Sequence, residues 1–479
     1  MDSIKTYTKN ILFSVLCILM LFSCVPTKHV RNENSKVPEH YKNQKLDTTN
    51  MAALTWKDFF SDPFLVTLID SALANNQELN IMLQRVEMSK NEIKARKGEY
   101  LPFVGIFAGA EHEKVGEFTR NGAVEKGLNI RENTEFPEPL SNISLGLSAS
   151  WELDIWKKLR NGKKAAVLEY LSSVEGKNFM VTQLVAELAS AYYELLALDN
   201  QLNILEQNLM LQQDALKMVR LQKEAARATQ LAVRRFEGEV FKNQSNKYVI
   251  EQQITETENH INFLVGRYPQ KVERASQELI GLSIPPIIGG LPSQLLVNRP
   301  DIKQAELELS AAKLNVKVAR ANFLPSIGLS AGIGFEAFKP QFLTHVPQSL
   351  AYALVGDIIS PLINRNAIKA AYNTANNRQL EAVFEYEKTI LNAYVEVENQ
   401  LSNLKNLHER YLLKEEQVNA LTESIALSVQ LFKSARAEYT EVLLTQREAL
   451  DSKIEIIETK RNQFLANIRL YQALGGGWN

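Results

Sequence analysis

Two long stretches of the chain carry apolar residues at alternating steps of three and four. The first stretch has Leu184, Leu188, Ala191, Leu195, Leu198, Leu202, Leu205 and Leu209, and then Val233, Phe236, Val240, Asn243, Lys247, Ile250, Ile254, Thr257, Ile261 and Leu264. The second has Ile390, Tyr394, Val397, Leu401 and Leu404, followed by Val418, Ile425 and Phe432. This heptad spacing is typical of helices that pack lengthwise against other helices.

Helix-breaking residues are nearly absent from both stretches. No proline lies between Pro139 and Pro269 or after Pro361, and residues 362–474 contain no glycine. Because helix interiors tolerate proline and glycine least, we predict two very long helical regions. Each is predicted to turn once, near 226–229 and near 435–438, and to return as a hairpin. A helix of about 65 residues is on the order of 100 Å long, which exceeds ordinary globular helices.

A different pattern precedes each long region. Apolar residues alternate with small or polar ones at Ile143, Leu145, Leu147, Ala149, Trp151 and Leu153, and again at Ile327, Leu329, Ala331, Ile333 and Phe335. Period two is the signature of a strand, and about ten residues suits a tilted membrane strand. Residues 103–110 and 350–360 are predicted as weaker partner strands. A soluble two-sheet sandwich is the alternative.

The chain is an internal duplication. Tyr100-Leu101-Pro102 matches Phe323-Leu324-Pro325, Ala191-Tyr192 matches Ala393-Tyr394, Ala226-Arg227-Ala228 matches Ala435-Arg436-Ala437, and Gly266 matches Gly475. The first copy is longer before its long helix, and we place the insertion in the polar loop 111–142. Duplication predicts pseudo-symmetry and does not by itself predict a function.

The N-terminus is predicted to be a targeting segment. Lys5 and Lys9 precede an apolar run, residues 11–23, that is too short for a lasting membrane helix. The run ends at Cys24 in a sequence that resembles a bacterial lipobox, in which the cysteine becomes the acylated (palmitate-bearing) first residue. Val25 in place of aspartate favours sorting to the outer membrane. An ordinary signal peptide with an incidental cysteine is the alternative.

Composition excludes several kinds of chemistry. The 479 residues carry a formal net charge of -1, which gives no reason to expect nucleic acid. Both cysteines lie in the first 24 residues, and the six histidines lack metal-ligand spacing, so no metal site or cofactor is predicted. Asp154 and Asp301 each lie at a helix start, where helix capping is the expected role. Arg299-Pro300-Asp301 is expected to be a structural turn, and the chain is not expected to be an enzyme.

Four predicted strands cannot close a barrel with a usable lumen, and an open sheet edge cannot face lipid. Several copies must therefore share one barrel if the strands cross a membrane. Three copies would contribute twelve strands and twelve long helices, although this geometry requires an oligomer without selecting three.

Several motifs carry a family resemblance that covers nearly the whole mature chain. In order they are Trp56-Lys57-Asp58-Phe59-Phe60-Ser61-Asp62-Pro63, Ser150-Trp151-Glu152-Leu153-Asp154-Ile155-Trp156, Ala191-Tyr192-Tyr193-Glu194-Leu195, Leu264-Val265-Gly266-Arg267-Tyr268-Pro269, Gly290-Leu291-Pro292-Ser293-Gln294-Leu295-Leu296, Arg299-Pro300-Asp301-Ile302, and Leu470-Tyr471-Gln472-Ala473-Leu474-Gly475-Gly476-Gly477-Trp478. Together they resemble the TolC superfamily, specifically the OprM/NodT-like outer-membrane lipoproteins of resistance-nodulation-division (RND) efflux pumps.

The resemblance implies a mainly α fold with transmembrane β structure. Each chain of a homotrimer would give four strands to a shared twelve-strand β-barrel in outer-membrane lipid, and its helical hairpins would form an α-barrel in the periplasm. The implied partners are a periplasmic adaptor (membrane fusion) protein and an inner-membrane RND pump, and the implied function is passive conduction of drugs or toxic compounds. The implied adaptor-docking and gate residues are Ala226, Arg227, Ala228, Thr229, Lys433, Ala435, Arg436, Ala437 and Glu438.

The predicted turns depart from the family pattern. Many relatives have glycine at the position of Ala435, where a left-handed backbone conformation needs little energy. Some relatives carry an aspartate ring before the second turn, whereas residues 427–435 contain no acid and Glu423 and Glu438 are the nearest. One interpretation is a basic entrance formed by Lys433, Arg436 and Arg227, and the alternative is that these residues are solvated charges at the turns.

The predicted organisation has five parts. These are a lipoprotein signal peptide (1–23), a lipidated linker (24–62), a first outer-membrane efflux repeat (63–268), an equatorial connector (269–290) and a second repeat (291–479). Two other functions stay open: a channel for protein or peptide secretion, and a structural lipoprotein that spans the envelope.

Overall fold

The computed structural model describes residues 31–42, 50–131, 133–275, 279–284, 289–361, 364–434 and 436–478. Contacts divide the chain into two compact units. The sheet unit comprises Met1–Asn32, Glu87–Leu171 and Leu307–Val383, and the helical unit comprises Glu33–Val86, Ser172–Glu306 and Phe384–Asn479. Neither Cys24 nor Ala435 is among the described residues.

The elements alternate between short helices, strands and long helices. The α-helices are α1 (Trp56–Phe59), α2 (Pro63–Asn75), α3 (Gln77–Glu99), α4 (Arg120–Gly127), α5 (Lys158–Glu224), α6 (Gln230–Val265), α7 (Leu295–Asn298), α8 (Pro300–Ala321), α9 (Asn366–Lys433) and α10 (Tyr439–Ala473). The strands are β1 (Phe103–Glu113), β2 (Asn129–Arg131), β3 (Thr134–Glu135), β4 (Leu140–Glu152), β5 (Ser326–Ala337) and β6 (Leu350–Ile359).

The four predicted strands form one antiparallel sheet in the order β1-β4-β5-β6. The pairs Ile106↔Leu147, Leu147↔Ile333 and Ile333↔Tyr352 place a row of apolar residues from all four strands on one face. The opposite face carries glycine, serine and alanine with a few carboxylates in the two central strands, and the edge strands add four apolar residues to it: Phe103, Phe107, Val355 and Ile359. The apolar face is largely exposed, with Ile106 at 79% and Tyr352 at 81%.

The insertion in the first copy is smaller than the predicted loop 111–142. Residues 111–113 and 140–142 belong to β1 and β4, because Glu113 pairs with Leu140 in a continuous register. The connection is residues 114–139, against 338–349 between β5 and β6, and it contains α4 and the β2–β3 hairpin. The remaining extra length of the first copy lies in its strands and in α5.

The two predicted long helices are α5 and α9, with 67 and 68 residues. Each turns once and returns as a shorter helix, α6 or α10, of 36 and 35 residues. The heptad positions Leu188, Leu195 and Leu205 are fully buried, which confirms the predicted heptad pattern. Two of its polar members are paired, because Asn243 donates to Gln212 Oε1 (2.9 Å) and Lys247 pairs with Glu206 (2.6 Å). Among the described residues, no helix has the length and apolar character that crossing a membrane requires.

The two repeats end in the same way. Gly266 after α6 and Gly475 after α10 both have positive φ, 79° and 93°. A side chain at either position would collide with backbone, because a Cβ would lie 2.4 Å from the carbonyl oxygen of Asn75 or 2.7 Å from that of Asn298. Glycine is therefore required twice, at matched points of the duplication.

Candidate functional site

The first predicted turn is a helix C-terminus followed directly by a capped N-terminus. The Ala226 N–H donates to the carbonyl of Lys223 (2.9 Å), the Arg227 N–H donates to that of Gln222 (2.7 Å), and Ala226 has φ 55°. This is the Schellman arrangement, in which one left-handed residue ends the helix. Thr229 then caps α6, because its Oγ1 accepts from the Ala232 N–H at 3.2 Å.

The second turn shares the first bond pattern but differs at the cap. The Arg436 N–H donates to the carbonyl of Leu431 (2.9 Å), as its counterpart Arg227 does in the first turn. Glu438 occupies the position of Thr229, yet its side chain accepts no backbone N–H of α10. It accepts instead from Thr440 Oγ1 (3.3 Å). The structure thus confirms two turns at the predicted places.

The two turns pack against each other through apolar side chains. The buried cluster consists of Leu216, Val219, Ala232, Val233, Phe236 and Val240 from the first hairpin, and Ala228, Phe432, Tyr439 and Leu443 cover it. The predicted site residues of both turns therefore come together in the helical unit, apart from Ala435, which lies outside the described residues.

The charges at the turns differ in how they are held. Arg227, Lys433 and Arg436 are exposed and form no ion pair with any described residue. Glu237, by contrast, accepts from both Arg220 and Arg234 at 2.8 Å. Hydrogen bonds from these arginines lower the pKa of Glu237. Exposed cations without ion pairs are compatible with a basic entrance, and they are equally compatible with solvated charges at the turns.

A segment near the N-terminus lies along α9. The Asn34 N–H donates to Glu387 Oε1 (3.1 Å), Tyr394 donates to the carbonyl of His40 (3.4 Å), and Tyr41 stacks on Tyr394 with ring centroids 5.5 Å apart. Burial raises the pKa of Tyr41. The residues that follow the predicted lipidation site are thereby tied to the second hairpin.

Sequence reasoning assigned Arg299 to a turn and missed a buried hub. Its side chain is 5% exposed, pairs with Asp301 (2.6 Å) and Glu396 (2.7 Å), and donates to the carbonyl of Ala473 (2.9 Å). Asp301, in the first turn of α8, thus pairs with Arg299, and the capping role expected for it stays a prediction. Asp154 does cap α5, because its carboxylate accepts the Leu159 and Arg160 N–H groups at 3.0 and 2.9 Å.

The duplication could have revealed a counterpart of this hub. Asn76 matches Arg299 at the offset that relates Pro102 to Pro325, and Leu264 matches Ala473 at the offset that relates Gly266 to Gly475. Asn76 Nδ2 indeed donates to the carbonyl of Leu264 at 2.8 Å. Each repeat therefore binds the last turn of its return helix with a polar side chain at the same place.

Nothing in this geometry resembles an active site. In the described part of the chain, no group of three or more histidine, cysteine or carboxylate residues is placed to hold a metal ion. What the fold does provide is a sheet with one exposed apolar face and a set of very long helical hairpins. These features define a class of membrane-associated transport proteins.

Comparison with known proteins gives the family. The model of the outer membrane efflux protein family matches residues 68–267 and 291–476, and the chain belongs to this family. It is similar to the pyoverdine export outer membrane protein OpmQ of Pseudomonas aeruginosa (27% identity; 98% of this chain and 97% of the relative). It is also similar to the toluene efflux pump outer membrane protein TtgF of Pseudomonas putida (29%; 90% and 87%) and to the cation efflux system protein CusC of Escherichia coli (27%; 88% and 88%).

Solved structures share the fold. A membrane protein from Pseudomonas aeruginosa superposes with a TM-score of 0.84 at 24% identity, covering 94% of this chain and 99% of that one. The open state of the Neisseria gonorrhoeae MtrE outer membrane channel gives 0.83 at 23%, covering 95% and 99%. The expected TolC-like fold is confirmed. The chain is an outer-membrane efflux component and not an enzyme.

Proposed function

We propose that three copies of this chain form a passive exit duct, with a shared twelve-strand β-barrel in the outer membrane. The sheet supports the proposal because β1 and β6 are its edges, and unpaired edges cannot face lipid. The exposed apolar face is suited to contact lipid, and the glycine- and serine-rich face is suited to line water.

The helical unit supports an oligomer independently. Within it, α6 packs on α5 through Asn243 and Gln212, α5 packs on α10 through the stacked rings of Tyr193 and Phe464, and α10 packs on α9 through Gln463. With these contacts, and with the N-terminal segment along α9, exposed side chains remain on one flank of α6 and one flank of α9 among the described residues of a single copy.

Both flanks carry exposed stripes with helical spacing. On α9 the stripe is apolar, whereas on α6 three apolar residues alternate with glycine, serine and glutamine. The α6 positions are Leu231, Gly238, Phe241, Ser245, Tyr248 and Gln252, and the α9 positions are Leu391, Val395, Leu413, Leu427 and Leu431. At 3.6 residues per turn, each exposed stripe lies on the side of its helix that is roughly opposite the buried stripe. A helix with two apolar stripes has a neighbour on each side. In the proposed trimer, α6 of one copy packs against α9 of the next, and the contacts close a ring.

The finer assignments extend this proposal. Residues 63–268 and 291–479 act as two efflux repeats joined by the connector 269–290. Residues 1–23 are removed as a signal peptide, and Cys24 carries the lipid. The two turns contact a periplasmic adaptor, which links the duct to an inner-membrane RND pump. The substrates are small molecules, in keeping with the pyoverdine, toluene and cation systems named for the relatives. Protein or peptide secretion is the second candidate function.

The exposed stripe of α6 carries this proposal, and a charge placed in it tests the proposal. We expect the detergent-extracted mature protein to have the mass of three chains by light scattering, and the double variant Phe241→Glu/Tyr248→Glu to run as a monomer that keeps its helical circular dichroism. Asn246→Glu is the matched control, because this exposed residue lies off the stripe. A double variant that stays trimeric would refute this interface, and a monomeric parent would refute the trimer.

A further inference from the structure

An open pocket of about 550 Å³ lies at the end of the sheet where the strands join the helices, mainly on the small-residue face. Its floor is formed by Ser150, Gly328 and Ser330, whose small side chains leave room above the two central strands. Phe103 of β1 and Asp357 of β6 lie on opposite sides of this floor, because β1 and β6 are the edge strands. All of the lining residues belong to the sheet unit of a single copy.

Three carboxylates line the pocket, and two of them are already paired with cations. Glu99 pairs with Arg96 at 3.1 Å, and Glu152 pairs with Lys158 at 2.5 Å. Asp357 makes no ion pair and no hydrogen bond with any residue in the described part of the chain. The pocket therefore holds one negative charge that no neighbouring side chain compensates.

Exposed apolar side chains surround this carboxylate. A Cβ at Gly328 would lie 2.7 Å from Asp357 Oδ1, so the carboxylate lies over this glycine and inside the pocket. Val355 and Ile359 flank Asp357 on the same face of β6, and both are exposed. Phe103, on the far side of the floor, is 73% exposed. A ligand that is both charged and apolar would match this surface.

The chemistry of the pocket distinguishes between classes of ligand. A metal ion is poorly served, because in the described part of the chain no group of three or more histidine, cysteine or carboxylate residues is placed to hold one. An anion would be repelled by Asp357. An organic cation gains twice, because its charge is attracted to Asp357 and its apolar body covers exposed apolar surface. A cation close to an aromatic ring such as that of Phe103 gains further.

We propose that this pocket binds an organic cation with an aromatic or apolar body, with the charged group next to Asp357 and the body against Phe103. Its role as a substrate contact rests on the proposed duct, in which the small-residue face lines water. Three copies would then supply three such pockets at one level, where cationic substrates pass from the helical part of the duct into the barrel. The pocket would favour cationic substrates over anionic ones.

Titration of 4-fluorobenzyltrimethylammonium into the purified full-length protein in an uncharged detergent, followed by fluorine NMR, tests the proposal without requiring conduction. We expect saturable binding of roughly millimolar affinity, because a contact inside a duct must also release its ligand. Asp357→Asn should weaken binding about fivefold, the upper end for an exposed charge pair, and Phe103→Ala should weaken it about threefold. Gly328→Ala keeps the charge but places a methyl group where the carboxylate lies, and it should also weaken binding.

Glu336→Gln is the matched control for the loss of charge. It removes a carboxylate from the same face at the other end of the sheet, where Glu336 accepts from Asn142 Nδ2 at 2.5 Å. This variant should bind the cation like the parent. The anion 4-fluorobenzenesulfonate, which has a similar aromatic body, should bind at least about fivefold more weakly than the cation.

Four results would overturn the proposal. They are a signal no different from that of empty detergent micelles, parent affinity in both Asp357→Asn and Phe103→Ala, an equal loss in Asp357→Asn and Glu336→Gln, and equal binding of the anion and the cation. Oligomer mass and circular dichroism, recorded for every variant, distinguish loss of the site from loss of the fold. A protein that binds the cation without forming a trimer would contradict the proposed duct and leave the pocket standing. A conducting trimer that does not bind the cation would contradict the pocket alone.

Discussion

The two copies of the duplication keep the same backbone plan and stabilise it with different side chains. At the end of the return helix, the first copy uses the amide of Asn76 and the second uses the guanidinium of Arg299 with two carboxylates. At the turn, the first copy has the Thr229 cap, whereas the second has Glu438 without a backbone bond. We therefore expect the second copy to be more stable than the first at the end of its return helix and less stable than the first at its turn.

This contrast predicts a difference in rigidity between the two turns. A turn with a cap and a two-arginine ion pair resists distortion, whereas a turn without either can change shape at lower cost. The turn of the second hairpin, which is anchored by the Arg299 hub at its other end, is then expected to be the easier of the two to distort.

The largest expected change in the free energy of unfolding is at the buried hub around Arg299. Arg299→Ala removes the only described partner that bridges Asp301, Glu396 and the Ala473 carbonyl, and loss of one member of a buried ion pair costs about 3–5 kcal/mol. Asn76→Ala should cost about 1–2 kcal/mol, because it loses neutral hydrogen bonds only. Chemical unfolding in detergent measures both variants, and an equal or reversed order would remove the contrast between the two ends.

A smaller effect is expected at the caps. Thr229→Ala should destabilise the start of α6 by about 1 kcal/mol, and Glu438→Ala should change α10 little, because Glu438 makes no capping bond. Hydrogen exchange of the first-turn amides of each helix measures the difference. The matched gain-of-function variant is Glu438→Thr, which should slow exchange at the start of α10. Faster exchange in Glu438→Ala would show that this residue does cap the helix.

One substitution in the backbone of the first turn is expected to increase the stability of that turn. Ala226 has φ 55°, a region that costs an alanine about 1–2 kcal/mol, so Ala226→Gly should stabilise the turn by up to about 1 kcal/mol after glycine's entropy loss. Ala225→Gly is the control, because this position lacks a left-handed φ and should lose stability. Slower limited proteolysis at 225–229 in the first variant and faster cleavage in the second is the expected pattern.

The smallest effect is in the pH response. Because hydrogen bonds from Arg220 and Arg234 lower the pKa of Glu237, its contribution is complete above the ordinary carboxyl pKa and is lost as pH falls through the lower folded value. Hydrogen-exchange protection at the first turn, corrected for intrinsic rates, should fall in acid in the parent and change less in Glu237→Gln. The second turn, which has Gln446 at the matched position, should lack this response. Equal acid responses at both turns would contradict the assignment.

Elements with strong periodicity could be predicted from the sequence. The heptads of α5 and α6 follow from burial of one helix face, and the alternation in β4 and β5 follows from one apolar and one small or polar sheet face. Both patterns can be predicted from residue type alone. The turns were predictable because Ala226-Arg227-Ala228 recurs as Ala435-Arg436-Ala437 at matched positions of the duplication. Left-handed φ at Ala226 was not predictable, because alanine usually avoids that region and its conformation here follows from the hairpin closing around it.

Long-range polar contacts were not predictable in the same way. The partners of Arg299 include Glu396, which is 97 residues away, and no local sequence pattern predicts a contact at that separation. The exposed stripe on α6 was also missed. Its serine, glycine and glutamine positions resemble an ordinary solvated face in the sequence, and only the burial seen in the structure distinguishes the exposed stripe from the buried one. The exposed Arg227, Lys433 and Arg436 have no described partner, so their role as adaptor contacts stays a prediction.

Single-channel recording of the purified mature protein in a planar bilayer tests the central claim, a duct built from shared strands. We predict discrete openings from the trimeric fraction, and a preference for cations, because the small-residue face of the strands carries Glu152, Glu336 and Asp357 and no lysine or arginine. Shared-strand closure also predicts that the monomeric Phe241→Glu/Tyr248→Glu fraction stays silent. Openings of equal size from that monomer would contradict the account. So would a trimer that never conducts even when Arg227 and Arg436 are replaced by Glu, which reverses the charge of the two turns.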